Sequence, residues 1–315
     1  MGTCKLCALK INDFQTVKDA KTGEELDVGF CLSCGFVQLR KIPDGTELKV
    51  YYSHNYRKDY KKVYAPKLKY VYRAGKAAVE RLNILQQIVN NPSKLKLLDI
   101  GAGGGEFVYQ ATRAGFNARG IEPSIGYSEY ARNEYGVSVD SIMLDELKEG
   151  AADVVTLFHV LEHLAKPEYA MKKIYDILNP DGYLFIEVPN ILQNDSSPHN
   201  IYFKAHLFYY SMETLIAVAS RYFDVLYVND VGNIKAIFKK RTYPLESMQL
   251  PSQESVIKAK IRLKHKGWIE YIFIGGGYKK PFKKLSQMLL ERNLPAVSAK
   301  ELLDSMPLRF IKESV

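Results

Sequence analysis

Cysteine is scarce and confined. The 315-residue chain has four, at Cys4, Cys7, Cys31 and Cys34, and none after them. A covalent cysteine mechanism in the later chain is therefore excluded. No apolar run reaches the ~18 residues that a membrane-crossing helix needs. No signal-peptide pattern stands at the start, where two cysteines fall in the first seven residues, so a cytoplasmic location is expected. Two phosphate-binding fingerprints are missing as well. Gly101, Gly103, Gly104 and Gly105 crowd one stretch, but Glu106 stands where G-x-G-x-x-G needs its third glycine, and no Gly-Lys-Ser/Thr occurs.

Charge is uneven. The net +9 divides into +5 over residues 1–70, −3 over 71–240 and +7 over 241–315. A slightly acidic middle with basic flanks admits an anionic partner at either end, or merely a solvated basic surface.

The stretch around which the chain is organised is Leu97-Leu-Asp-Ile-Gly-Ala-Gly-Gly-Gly-Glu106. An apolar run reads as a buried parallel strand, the glycines as a tight turn and Phe107 onward as a helix. Glycines let a backbone approach a ligand closely, and the helix start offers free N–H groups. A second short strand, Ala118 to Ile121, ends in Glu122-Pro123. In a doubly wound sheet that acid faces the ligand at the strand's carboxyl end and accepts from both hydroxyls of a ribose. A helix over 127–135, a strand over 137–140 and an adenine-flanking loop at Ser141-Ile142-Met143 follow.

Cys4-x-x-Cys7 and Cys31-x-x-Cys34 have the spacing of a four-thiolate structural zinc site with no open position. A disulfide pair or a redox motif is the rival reading. Asp19-Ala-Lys-Thr-Gly23 between the pairs suits a hairpin turn. Tyr51, Tyr52, Tyr56, Tyr60, Tyr64, Tyr70 and Tyr72 suggest an aromatic cap, and residues 73–90 an amphipathic helix.

Further on stand an apolar strand (153–158), His159-Val-Leu161-Glu-His163, a helix from Pro167 to Leu178, Asn179-Pro-Asp-Gly182, a strand ending in Val188-Pro-Asn190, a helix in 201–220, and two strands, 222–228 and 234–239, joined as a reversed hairpin. In this order and spacing, residues 95–190 resemble the class I S-adenosylmethionine (SAM) methyltransferases. The resemblance implies an α/β fold: a doubly wound, seven-stranded, mostly parallel, Rossmann-like sheet, with a small N-terminal zinc-binding module and a basic C-terminal extension. The expected divisions are 1–72, zinc module and tyrosine-rich cap; 73–240, SAM-binding core; and 241–315, extension. The implied cofactors are SAM, at Asp99, Gly101, Ala102, Gly103, Glu122, Pro123, His159 and Leu161, and structural Zn²⁺, at Cys4, Cys7, Cys31 and Cys34.

A four-cysteine module followed by a Tyr-Tyr stretch and this core is similar to the sugar and surface-glycan methyltransferases. Their C-methylating members carry a histidine after the fourth strand, matched by His163, and a Tyr-x-Glu-His cluster, matched at its end by His206. Here the Tyr position is Phe203 and the Glu position Ala205. The implied acceptor is a small molecule, a sugar, sugar nucleotide or glycan component, phosphorylated in some cases. His206 is the expected base and His163 its alternative or orienting partner, since an imidazole near neutrality suits proton removal. An RNA methyltransferase remains an alternative, favoured by the basic flanks but lacking an Asn/Asp-Pro-Pro-Tyr/Phe motif after strand four. A zinc-containing, non-catalytic binding protein is another. In 241–315, Lys258–Lys266 reads as a basic amphipathic helix, 272–277 as an apolar run closed by glycines and Ser298 as the cap of a short helix. This tail would serve a glycan, an anionic membrane surface or a homo-oligomer contact.

Overall fold

The structure, a computed structural model, describes residues 2–43, 66–89, 91–147 and 151–308. Tyr51, Tyr52, Tyr56, Tyr60 and Tyr64 of the expected cap lie outside these residues. From the N-terminus, β1 (Gly2–Thr3) pairs antiparallel with β2 (Lys10–Ile11), and β3 (Phe14–Lys18) with β4 (Glu25–Phe30). The expected turn closes the β3–β4 hairpin. Asp19 Oδ1 accepts the backbone N–H groups of Lys21 and Thr22 at 2.8 and 2.7 Å, the self-capping that makes Asp a turn residue. Next come β5 (Val37–Leu39), α1 (Leu68–Leu85), β6 (Lys96–Ile100), α2 (Glu106–Arg113), β7 (Asn117–Ile121), α3 (Ile125–Tyr130), β8 (Ser138–Asp140) and β9 (Ala152–Phe158). They are followed by α4 (Pro167–Ile177), β10 (Leu178–Val188), β11 (Phe208–Tyr209), α5 (Met212–Ala219), β12 (Phe223–Asn229) and β13 (Ile234–Lys240). The chain continues with α6 (Gln253–Lys264), α7 (Trp268–Phe273), α8 (Lys280–Arg292) and α9 (Ala299–Asp304).

Seven strands form one sheet in the order β12-β13-β10-β9-β6-β7-β8. β6 lies parallel to both β7 and β9, and β7 parallel to β8, whereas β12 and β13 are antiparallel. This is the expected mixed, mostly parallel α/β sheet. The order reverses direction at β6, the switch point where ligands of such sheets bind beyond the strands' carboxyl ends. Leu97, Leu98 and Ile100 are almost wholly buried, as a strand covered on both faces requires.

Two compact units divide the chain: Met1–Asp44, Phe158–Tyr175 and Ile186–Leu285 form one, Gly45–Leu157, Asp176–Phe185 and Ser286–Val315 the other. In the second, Val71 of α1, Val108 and Tyr109 of α2, and Leu302, Leu303 and Met306 at α9 share one apolar cluster. Tyr109 OH donates to Asp304 at 2.6 Å and Gln110 Nε2 to the Leu303 carbonyl at 3.0 Å. The short helix expected after Ser298 is thus a core element, closed by a capping box in which Ser298 Oγ accepts the Glu301 N–H. In the first unit, a four-stranded sheet runs β11-β5-β4-β3.

Where a helix was expected in 201–220, only Met212–Ala219 is helical and Phe208–Tyr209 is a strand paired with Gln38 and Val37. The aromatic run Leu207-Phe-Tyr-Tyr favours extended backbone, and Ser211 is the helix cap, accepting from Thr214 N–H at 3.3 Å. The helix read over 73–90 begins earlier, at Leu68, and ends at Leu85. No helix among the described residues is long and apolar enough to cross a membrane.

Candidate functional site

At the carboxyl end of β6 the chain turns through Gly101, Gly103 and Gly105, all at positive φ. Gly105 (φ +84°) admits no side chain: a Cβ there would meet the Ala131 Cβ at 2.6 Å. Around Gly103 (φ +54°) nothing lies within 4 Å of the position a Cβ would take, so the turn is open at its apex. Gly101 and Ala102 donate their N–H groups to the Ile121 carbonyl at 2.8 and 2.9 Å, stitching the turn to the end of β7. Glu122, directly after β7, accepts the Gly103 N–H on Oε2 and the Ser124 N–H on Oε1, both at 3.0 Å, and Pro123 follows it.

Asp99 is buried in β6 beside this turn. Its Oδ1 accepts a 2.6 Å hydrogen bond from Thr156 Oγ1 of β9. Burial pushes its carboxyl up to about 7, against the lowering pull of the Thr156 bond.

The other unit holds a histidine–carboxylate cluster. His159 sits in the left-handed region (φ +58°), a conformation costing a non-glycine residue about 1–3 kcal/mol. Its N–H donates to the Glu187 carbonyl at 2.8 Å. Its Nδ1 stands 3.5 Å from Glu162 and its Nε2 3.4 Å from Glu187. Burial works against the imidazolium, but these two carboxylates outweigh it and raise His159 to about 9. Leu161 is fully buried. Glu162 is buried with neither oxygen accepting a well-formed hydrogen bond among the described residues. Burial would raise its carboxyl, yet the surrounding imidazoles hold it low.

His163 Nδ1 lies 2.7 Å from the Ala205 carbonyl, the geometry of a donated N–H, and its Nε2 is 3.9 Å from Glu162. The His163 and His206 rings meet edge to face with centroids 5.0 Å apart. The structure thus brings together His163 and His206, forty-three positions apart in the sequence, with Glu162 between them and His159. Burial and the neighbouring His163 push His206 down to about 4, leaving it neutral at pH 7. Phe203, in the expected Tyr position, packs against it with ring centroids 5.0 Å apart and planes tilted by 45°.

His206 also lines a cavity with Asn190, Gln193, Phe203, Tyr209 and Lys266. Lys266 donates from Nζ to the Ile191 carbonyl, and burial, then Arg262, lowers it to about 8. The loop holding His206 is tied to the N-terminal hairpin: Asp19 Oδ2 accepts the Lys204 N–H at 2.6 Å, and Ala20 donates to the Tyr202 carbonyl at 2.8 Å.

The four cysteine sulfurs lie within 4.8 Å of one another, with Cys4–Cys34 at 3.6 Å and Cys7–Cys31 at 3.5 Å. Tetrahedral zinc with bonds of about 2.3 Å separates its sulfurs by about 3.8 Å, so the donor set fits the ion. The two cysteine turns repeat one geometry. The Cys4 and Cys31 carbonyls accept from Ala8 and Gly35, and their N–H groups donate to Leu9 and Phe36. Ala8 and Gly35 are both left-handed, at φ +61° and +73°. Hydrogen bonds from Cys34 and Cys4 hold the Cys31 thiol low, while sharing with Cys31 raises Cys4 to about 12 and Cys34 higher still.

Thr156, Glu187 and Lys266 carry no role in the sequence reading. A lone Glu in the apolar strand Tyr183–Val188 was a visible signal; Thr156, inside an ordinary buried strand, gave none.

Known proteins bear on the core. The family described as a methyltransferase domain matches residues 69–222. The ubiquinone biosynthesis O-methyltransferase of Actinobacillus pleuropneumoniae (strain L20) is 33% identical over 122 residues, 35% of this chain and 52% of that protein. The protein of the same description from Cupriavidus pinatubonensis is 33% identical over 103 residues, 30% of this chain and 41% of that protein. The chain thus spans about half the length of the curated relatives it matches. A crystal structure of an S-adenosylmethionine dependent methyltransferase from Mesorhizobium loti is similar with a TM-score of 0.46 and 14% identity, over 53% of this chain and all of that one. Residues 69–222 are thus similar to a methyltransferase domain.

Proposed function

We propose that the protein transfers a methyl group from SAM to a hydroxyl or carbon of a small molecule, a sugar, sugar nucleotide or surface-glycan component. The observation that carries this reading is the pair of acidic side chains at adjacent strand ends, Asp99 and Glu122, flanking a glycine turn that is open at Gly103. Bound SAM supplies an electrophilic methyl on a sulfonium. Asp99 offers a carboxylate to the cofactor's positive charge and Glu122 accepts from the ribose hydroxyls. Gly101, Ala102 and Gly103 give the backbone wall, Pro123 fixes the exit from Glu122, and His159 and Leu161 serve the methionine end. His206, neutral at pH 7, takes the acceptor's proton, with His163 orienting it or standing in as the base. Methyl transfer is an in-line displacement, so holding the acceptor in place is the larger share of the work.

Cys4, Cys7, Cys31 and Cys34 hold a structural zinc ion whose four thiolates leave no catalytic position. The zinc module with the tyrosine-rich cap (1–72), the SAM-binding core (73–240) and the basic extension (241–315) are the working divisions. With the acceptor cavity lined by amides, aromatic rings and one lysine, a small polar acceptor suits better than RNA.

The test uses methyl-labelled SAM with two substrate pools, sugar nucleotides with glycan precursors on one side and total RNA on the other. Label entering the first pool supports the proposal. Label entering only RNA replaces the acceptor assignment.

A further inference from the structure

Ten large apolar side chains stand exposed within residues 268–290, against five across 66–240. In α7, Ile269 and Phe273 are 79% and 74% exposed; in α8, Phe282 is 74% exposed. Every residue from 281 to 290 is exposed. An isolated helix of thirteen residues is marginal in water, and Phe282, Leu285 and Leu289 recur at helical spacing as one apolar stripe.

The same stretch is cationic. Lys279, Lys280, Lys283 and Lys284 lie at the start of α8 or just before it. Only Lys280 has a carboxylate within 4 Å among the described residues, Asp195 at 3.7 Å. The single acid between 268 and 290, Glu270, is already held by Arg262 at 2.5 Å. Lys280 and Arg262, through Asp195 and Asn194, anchor this part of the chain to the loop after β10.

A second copy of the chain would bring one lysine row against another. A nucleic acid would answer the charge but leave phenylalanine and leucine in water. An anionic bilayer satisfies both: apolar side chains enter the acyl boundary and lysines meet lipid phosphates. We propose that α7 and α8 form a peripheral docking face for anionic membrane. The proposal does not depend on the methyltransferase reading.

Trp268, the chain's one tryptophan, lies in this face and reports on it. The full chain is sedimented with vesicles of phosphatidylcholine, with and without phosphatidylglycerol, while tryptophan emission is followed. Binding to the anionic vesicles, a blue shift and weakening by salt are expected. Phe282→Glu with Leu285→Glu should lower partitioning at least about tenfold, and Lys283→Glu with Lys284→Glu should remove the preference for phosphatidylglycerol. All four positions are exposed, so circular dichroism should stay unchanged. No binding to anionic vesicles, or binding indifferent to both pairs of substitutions, overturns the proposal. So does self-association through Phe282, or RNA binding, without vesicle binding.

Discussion

Thr156 donates a 2.6 Å hydrogen bond to Asp99 across the β6–β9 pairing, and both side chains are buried. That bond lowers a carboxyl which burial alone would drive further upward. Thr156→Val should therefore raise the Asp99 midpoint above about 7. With Asp99 facing the sulfonium charge of SAM, affinity for SAM rises with pH through that midpoint, and the valine variant shifts the rise to higher pH. Calorimetry across pH 6–9, roughly the window this carboxyl implies, checks it.

The same carboxyl makes a stability prediction. Its folded-state value, about 7, lies above its usual 3.8. Its contribution is thus complete below the unfolded value and is lost as pH rises through the folded one. Asp99→Asn should remove this loss, so the variant gains stability relative to the parent between about pH 4 and 7. Thermal melts of the ligand-free proteins at several pH values read the difference.

For the cysteine cluster, metal analysis should give one zinc per chain. Because a cysteine must lose its proton to bind zinc as thiolate, zinc uptake should release protons and weaken as pH falls. Proton release in weakly buffered titrations measures this. Free thiols with no zinc would remove the site.

Asp19 couples the N-terminal hairpin to the loop that carries His206, through its bonds to Lys21, Thr22 and Lys204. Asp19→Ala should cost about 1–3 kcal/mol. Its effect on methyl transfer should exceed its effect on S-adenosylhomocysteine affinity, since the hairpin bonds reach the His206 loop rather than the glycine turn. Denaturant melts, turnover and calorimetry separate the two.

At saturating SAM, where the Asp99 titration no longer limits the rate, the acid limb of kcat should fall near the lowered His206 value of about 4 rather than near the 6.5 of an ordinary imidazole. His206→Ala should reduce turnover about 10²–10⁴-fold if this side chain is the base. A limb unmoved by the substitution assigns the proton to another group.

The parallel strands were legible because buried strands write themselves as apolar runs and the glycine turn has a distinctive spacing. The cysteine ligand spacing was equally plain. What the sequence hid was non-local. β11 is a two-residue strand whose partner, β5, lies some 170 positions earlier, and no local pattern announces such a pairing. Ser211, the true cap of α5, lies inside a run that reads as continuous helix. His163 and His206 were singled out one by one, but Glu162, at the centre of their cluster, gains its meaning only from its burial among the imidazoles of His159 and His163. α8 escaped because its apolar residues are exposed rather than part of a core, which is also what suits it to docking.

Calorimetric titration with SAM in the absence of acceptor tests the central claim most directly, comparing the parent with Asp99→Ala and Glu122→Ala. The account predicts one site per chain, weakened at least about tenfold, or about 1.4 kcal/mol, by either substitution. Affinity unchanged in both variants, or no binding to the parent, would contradict it.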